Sequence, residues 1–519
     1  PMEEVEDLLL LTGHTLTIDD VIEVALEGVN VGIDEQAQKA IQDGRLMVER
    51  HLESGQPAYG INTGFGALCD ASISPDALRD LQQNLVRSHA SGVGEYFPLE
   101  VVRAAMLLRA NSLCRGHSGV RPVVVETLVQ LLNSNVIPAV HSQGSLGASG
   151  DLAPLADLAL VLLGEGSAWF NGELMSGAEV LKKADIEPLT MEAKEGLALL
   201  NGTAFMTAVG VLTCNEVFRL LVAQDAAAAL SLAAFMGSTA AYAPELVAAR
   251  PHPGAIAVAE HMRTLLTDCT LVDTGNHAKI QDPYSFRCVP QVHGTVFDAL
   301  RHVKSTLEIE INSTTDNPLI INDRVISGGN FHGQPVGAVL DYLSIVVTSM
   351  VAMAERRVNQ LLHPAYSGLS AFLVPNPGLN SGFMIAQYTA ASLVNENRVL
   401  ANPASVQSIP VSADQEDHIS MATFAASKAR RLVSNAAAVT AIEILSAVQA
   451  IDLRMNKQEW NPDNILGPTL APVYDLIRKE VPFIEQDTPL SGYIEYVTSL
   501  VAGRSIYQQL QRRQANLTY

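Results

Sequence analysis

Three things are scarce in this 519-residue chain: aromatic residues, at 5%, cysteines, of which there are five, and positive charge, with 33 Lys and Arg against 55 Asp and Glu. Cys69, Cys114, Cys214, Cys269 and Cys288 are odd in number, widely spread and form no CxxC pair, so neither a disulfide framework nor a zinc site is indicated. A formal charge of -22 repels phosphate backbones and anionic lipid, which argues against nucleic acid and membrane surfaces as partners. Uninterrupted apolar runs are short as well. Residues 158–163 and 226–237 cannot cross a bilayer, and the longer stretch 339–354 contains Asp341, so no membrane span is expected. Glu3, Glu4, Glu6 and Asp7 stand where a signal peptide needs basic residues, and a cytoplasmic location is the expectation.

What is present is an aliphatic core. Hydrophobic residues make up 48% of the chain, and with aromatics so few they are Ala, Leu, Val and Ile, a mixture that favours helices over sheets. Apolar residues three or four apart over 197–235, 336–357 and 421–451 predict long buried helices, hence a mainly α fold with a helix bundle at its centre. Stretches rich in Gly, Asn and Pro at 60–66, 144–150, 327–333 and 375–382 predict ordered loops. Three regions are expected: a smaller, loop-rich N-terminal region over 1–195, a central helical bundle over 196–455 and a small C-terminal helical region over 456–519. No internal repeat is evident.

The segment with the most chemistry in it is Gly144-Ser145-Leu146-Gly147-Ala148-Ser149-Gly150-Asp151-Leu152-Ala153-Pro154-Leu155. A flexible loop runs straight into a helix start: Asp151 is a suitable cap, Pro154 is tolerated in a first turn, and Leu152, Leu155, Leu158 and Leu162 recur at helical spacing. Read locally, this is a glycine-rich loop feeding a helix. As a whole string it closely resembles the signature of the aromatic amino-acid ammonia-lyase and aminomutase family, and other strings follow in the family's order from about residue 8 to about residue 500. These include Tyr59-Gly60-Ile61-Asn62-Thr63-Gly64-Phe65-Gly66, Leu199-Leu200-Asn201-Gly202-Thr203, Gln281-Asp282-Pro283-Tyr284-Ser285-Phe286-Arg287, Asp316-Asn317-Pro318 and Gly328-Gly329-Asn330-Phe331-His332-Gly333.

The resemblance implies a long-helix bundle of the fumarase/aspartase-like ammonia-lyase type. It implies that the backbone nitrogen of Gly150 attacks the carbonyl carbon of Ala148 and that two waters are lost, giving 4-methylidene-imidazol-5-one (MIO) with the Ser149 side chain as its methylene. No external cofactor and no metal is implied. Ala and Gly suit a backbone that must close a small ring. The resemblance assigns Tyr59 as the base for the β-proton, a role that needs a site stabilising phenolate. Asn201 is expected to donate its amide to the ring carbonyl. Arg287, beside Tyr284, is assigned to the substrate carboxylate, which a planar guanidinium holds through two bonds. Taken alone, Tyr59 reads more readily as a half-buried structural tyrosine, Asn201 as a helix end or turn and Arg287 as a surface residue.

Substrate choice is expected to rest on Ser88, His89, Phe331, Gln415 and Glu416. A polar Ser88-His89 pair disfavours a bare phenyl ring, because a buried donor or acceptor would be left unpaired. His89 also suits tyrosine. The order Gln415-Glu416-Asp417-His418 is similar to histidine-directed members, and a Glu416 carboxylate can pair with an imidazole N–H. Histidine is the expected substrate and urocanate the product; a tyrosine ammonia-lyase or tyrosine 2,3-aminomutase is the alternative. Asp414, where Asn or a small neutral residue is expected, adds a charge that can raise the pKa of Glu416. A homotetramer with shared active sites is implied, against the rival of a non-catalytic helical assembly protein. The mobile-loop signature of fumarase-type lyases is absent.

Overall fold

The computed structural model describes residues 8–519 except 69, 71–72, 75–76, 275–279, 456–459, 514, 516 and 518–519. The acidic start at Glu3, Glu4, Glu6 and Asp7, and Cys69, therefore lie outside the described residues. Contacts divide the chain into two units that are discontinuous in sequence. The first holds residues 1–212, 304–341 and 403–427; the second holds 213–303, 342–402 and 428–519. Three of the boundaries fall inside long helices, Ala204–Phe235, Gln334–Leu362 and Ala422–Arg454. At 1.5 Å per residue such helices run about 45 Å, longer than a small domain is wide. A division at 195 and 455 follows composition along the chain, and contacts group the residues differently.

These three helices match the apolar periodicity with one correction. The run beginning at 197 is broken: a short helix Glu195–Leu200 stops, Asn201, Gly202 and Thr203 depart from it, and a new helix starts at Ala204. A Cβ on Gly202 would lie 2.1 Å from an Arg109 guanidinium nitrogen, so glycine fits at this break without displacing a buried cation. A second correction concerns membranes. By length and composition these same helices could cross one. Scattered charges hid this from a search for uninterrupted runs. Their apolar windows are 78%, 67% and 83% buried within the protein itself, so packing already uses that surface.

In the first unit, small sheets frame the helices. Leu9–Leu11 pairs in parallel with Val31–Ile33, and Ile137–Pro138, Ser167–Phe170 and Glu173–Ser176 form an antiparallel sheet with Ser167–Phe170 in the middle. Helix Ile18–Glu27 starts on a capping box between Thr17 and Asp20 and stops at Gly28 in the left-handed conformation, both favourable terminators. Helix Leu99–Leu113 is buried continuously from Val101 to Leu113, and its Arg103, Arg109 and Asn111 are accordingly all hydrogen-bonded.

In the second unit, buried charges are paired rather than absent. Arg357 and Glu443 form a fully buried ion pair at 2.5 Å, with Gln224 and Ser231 donating to the same carboxylate. Asp225 takes an imidazole nitrogen from both His261 and His293. Cys114, Cys214 and Cys269 are buried free thiols, and Cys288 is half-buried and also free.

Candidate active site

The first unit contains a cavity of about 640 Å³, lined by Tyr59, Phe65, Gly66, Asp70, Leu85, His89, Ser149, Leu152, Leu197, Asn201, Asn317, Ser327, Gly328, Phe331, Ser412, Gln415 and Glu416. Seven of the residues singled out from the sequence, Tyr59, His89, Ser149, Asn201, Phe331, Gln415 and Glu416, thus share one wall system although they span more than 350 positions. Ala148 and Gly150 flank Ser149 in the same loop.

Local backbone chemistry explains how Ser149 is presented. Gly147, Ser149 and Gly150 all have positive φ, at 81°, 52° and 81°, and Gly147 bridges to Gly150 across a tight turn. Gly150 packs against the helix break described above: a Cβ on it would sit 2.0 Å from the Gly202 carbonyl oxygen. The Gly202 carbonyl accepts from Asp151 N at 2.7 Å, and Gly202 N donates back to the Ser149 carbonyl at 3.2 Å. Gly147 is equally tight, its missing Cβ being 2.1 Å from Ser420 Oγ.

Asp151 does not cap its own helix, Leu152–Leu162, as expected from sequence. Its fully buried carboxylate accepts instead from Met206 N at 2.9 Å, in the first turn of Ala204–Phe235, from Ser145 Oγ at 3.1 Å and from Thr423 Oγ1. Long-range partners out-competed the local one. Burial pushes this carboxyl up to about 6, with those hydrogen bonds opposing the rise.

Asn201 departs from its expected role in detail. Its Nδ2 is already spent, donating to Asp316 Oδ1 at 3.1 Å and to the Asn317 carbonyl at 3.0 Å, while its buried Oδ1 has no partner among the described residues. The group left over is an acceptor. Behind it lies machinery that sequence reading missed. Lys194 and Asp316, both fully buried, form an ion pair at 2.6 Å; Arg109, also fully buried, donates to the Asn201 carbonyl at 2.8 Å. Burial drives the Lys194 and Arg109 pKa values down, and Asp316 holds both up. Next to Lys194, buried Glu195 accepts from Arg121 through N, Nε and Nη2. The available signal was a Lys-Glu pair placed directly before an apolar helix.

Tyr59 meets Phe65 edge-on at 6.4 Å, and its hydroxyl oxygen accepts from Gly66 N at 3.4 Å, a weak backbone donor. Gly66 also lets two loops meet, since a Cβ on it would be 2.7 Å from Ser412 Oγ and 3.8 Å from Glu416 Oε1. His89, last in helix Leu78–His89, turns Nδ1 to Ser88 Oγ at 3.0 Å; Ser88 itself is not in the cavity lining. His89 is held below the ordinary histidine range by burial, against a hydrogen bond to the Leu85 carbonyl.

Burial raises the Glu416 carboxyl above the ordinary carboxylate range. Asp414 has a backbone role: Ser412, Ala413 and Asp414 are consecutive left-handed residues with φ of 55°, 51° and 65°, a conformation Asp and Asn tolerate better than most. Asp414→Asn is therefore expected to change stability by less than about 0.5 kcal/mol and leave the KM for substrate within experimental scatter; a large shift in KM would return the charge to consideration.

Tyr284 and Arg287 belong to the second unit, on the short helix Tyr284–Arg287, and neither lines the cavity. Tyr284 is 72% exposed; Arg287 lies over its ring at 4.9 Å and donates to the Asp282 carbonyl at 2.6 Å.

The fold has close relatives of known structure. It superposes on tyrosine aminomutase from Streptomyces globisporus with a TM-score of 0.91 at 37% identity, covering 97% of this chain and 98% of that one. Histidine ammonia-lyase from Trypanosoma cruzi gives 0.89 at 38% identity, with 98% and 96% covered. This mainly helical chain, with Ser149 of the glycine-rich loop lining the cavity, is by family a carbon–nitrogen lyase. Residues 16–479 match the aromatic amino acid lyase family, and the chain is 47% identical over 93% of its length to a histidine ammonia-lyase of Streptococcus gordonii, of which 94% is covered. The chain belongs to the aromatic amino acid lyase family.

Proposed function

We propose that this chain deaminates L-histidine to trans-urocanate and ammonia in the cytoplasm, using an MIO ring closed from its own Ala148, Ser149 and Gly150. The observation that carries the reading is the single cavity shared by Ser149, Tyr59, Asn201, His89 and Glu416. The loop fits the ring. Gly150 occupies a position where only hydrogen can replace a side chain, and Ser149 stands at the turn facing the cavity. The ring supplies an electron-poor methylene that makes the substrate amine a better leaving group.

The rest is done by the chain's own side chains. Tyr59 takes the β-proton, with the Gly66 N–H as one donor to its oxygen. Asn201 Oδ1, its amide nitrogen held by Asp316, accepts an N–H of the substrate amine. His89 and Glu416 receive the imidazole, and Phe331 and Gln415 complete the wall. Three-point holding of amine, side chain and carboxylate supplies the orientation that a weakly acidic β-carbon demands.

No Lys or Arg is among the described residues lining the cavity. The reading therefore includes a homotetramer in which Arg287 and Tyr284 of another copy meet the substrate carboxylate. Sedimentation showing monomers at micromolar concentration with full activity would remove that part. Tyr59→Phe is expected to lower kcat by about 10²- to 10⁴-fold, the usual worth of a general base, with a smaller change in KM; a variant within tenfold of the parent would dismiss Tyr59 as the base. The function itself is tested by separate incubation with His, Tyr and Phe. Urocanate from His alone is expected; a coumarate or a β-amino acid as main product would install the tyrosine lyase or aminomutase reading instead.

A further inference from the structure

Helix Leu78–His89 brings two adjacent polar side chains to the cavity edge, and only the second lines it. Ser88 Oγ donates its one proton to the Leu85 carbonyl at 3.1 Å. The same oxygen lies 3.0 Å from His89 Nδ1. A hydroxyl whose proton is engaged can offer only a lone pair, so this contact calls for a proton on Nδ1. Burial lowers the pKa of the ring and so favours its neutral form, which carries a single proton. With that proton on Nδ1, Nε2 is the nitrogen left for the cavity that His89 lines.

We propose that Ser88 is a positioning residue that locks His89 in its Nδ1–H tautomer, so that the cavity meets the substrate ring with an acceptor at Nε2 rather than a donor. The inference rests on the reading of this cavity as a histidine-deaminating site and adds what selects the ring. His89 Nε2 and the Glu416 carboxylate are then two acceptors on one cavity. A protonated imidazole, the form with two N–H donors, satisfies both, a phenol satisfies one and a phenyl ring none. Each acceptor left unpaired costs roughly ten- to a hundredfold in binding. The opposite tautomer would face the substrate with an N–H and lose that discrimination.

The test uses the full-length protein and its Ser88→Ala and Ser88→Thr variants, labelled with ring-¹⁵N histidine. Two-bond ¹H–¹⁵N spectra report the tautomer of His89, assigned by the signal lost in His89→Ala. The expected result is an Nδ1–H pattern in the parent, a mixed or inverted one in Ser88→Ala and restoration in Ser88→Thr. Alongside it, Ser88→Ala should raise KM for histidine by roughly tenfold, more than it lowers kcat, and narrow the preference for histidine over tyrosine, with Ser88→Thr recovering both. An Nε2–H pattern in the parent, or an Ser88→Ala protein unchanged in tautomer and in KM, overturns the proposal. If the tautomer responds to Ser88 as expected but no histidine is deaminated, the lock stands and the substrate reading falls.

Discussion

Ser149→Ala is expected to abolish deamination, with activity reduced on the order of 10⁶-fold, the lower end of what enzymes add to an uncatalysed rate. The reason is chemical rather than structural. Without the Ser149 hydroxyl no water can be lost from that side chain and no methylene can form, so the amine has nothing to add to. The backbone should be undisturbed. Ser149 has φ of 52° in a loop held by contacts of its neighbours: the Gly202 hydrogen bonds, the Gly150 packing and the buried Asp151 carboxylate. Mass spectrometry of the intact proteins checks the same point independently. The parent should be lighter than its sequence by two waters and the variant should not be. Urocanate formation by Ser149→Ala within a hundredfold of the parent, or a parent of unmodified mass that is fully active, would end the proposed mechanism.

The second large effect is expected at Lys194, a residue that touches no substrate. Lys194→Met leaves the buried Asp316 carboxylate without its 2.6 Å partner, and breaking a buried pair on one side costs about 3–5 kcal/mol. Asp316 Oδ1 is also the acceptor that orients the Asn201 amide, so activity should fall together with stability. The double replacement Lys194→Met with Asp316→Leu separates the two effects. It removes the stranded charge and should recover much of the stability, since apolar side chains of similar size often replace a buried pair without loss. It should not recover activity, because Asn201 then lacks its anchor. Urea unfolding midpoints and urocanate rates measure both. A single variant within about 1 kcal/mol of the parent would show that Arg109, also buried near Asp316, suffices to neutralise it.

How far the amino-acid string led can be judged from particular residues. The long helices were readable because burial on most faces requires an apolar residue every three or four positions. Their interruption at Asn201-Gly202-Thr203 was not, because it exists to admit Gly150, about 50 positions earlier. Asp151 looked like a local cap by its place before Leu152. Its actual partners are Ser145 in the same loop and Met206 and Thr423 from two distant segments, and a buried carboxylate takes whatever donors the fold delivers. His89 and Ser88 read as an equivalent polar pair, whereas the helix turns one toward the cavity and the other toward its backbone. Asp414 read as a charge, and the fold also holds it in a left-handed backbone conformation.

What the string determined by itself is local covalent and conformational chemistry: which three residues can close a ring, where glycine frees the backbone, which stretches must be helices and which side chains have the right acidity. These depend on neighbours within a few positions, and so they survive in one dimension. Tertiary structure alone decided which atom of Asn201 is left free, that Lys194 and Arg109 stand behind it, and that loops around positions 60, 150 and 415 open on the same space. The physical reason is that buried polar atoms must each find a partner, and the partner is chosen by proximity in space, where residues a hundred or more positions apart compete on equal terms with the next one along the chain.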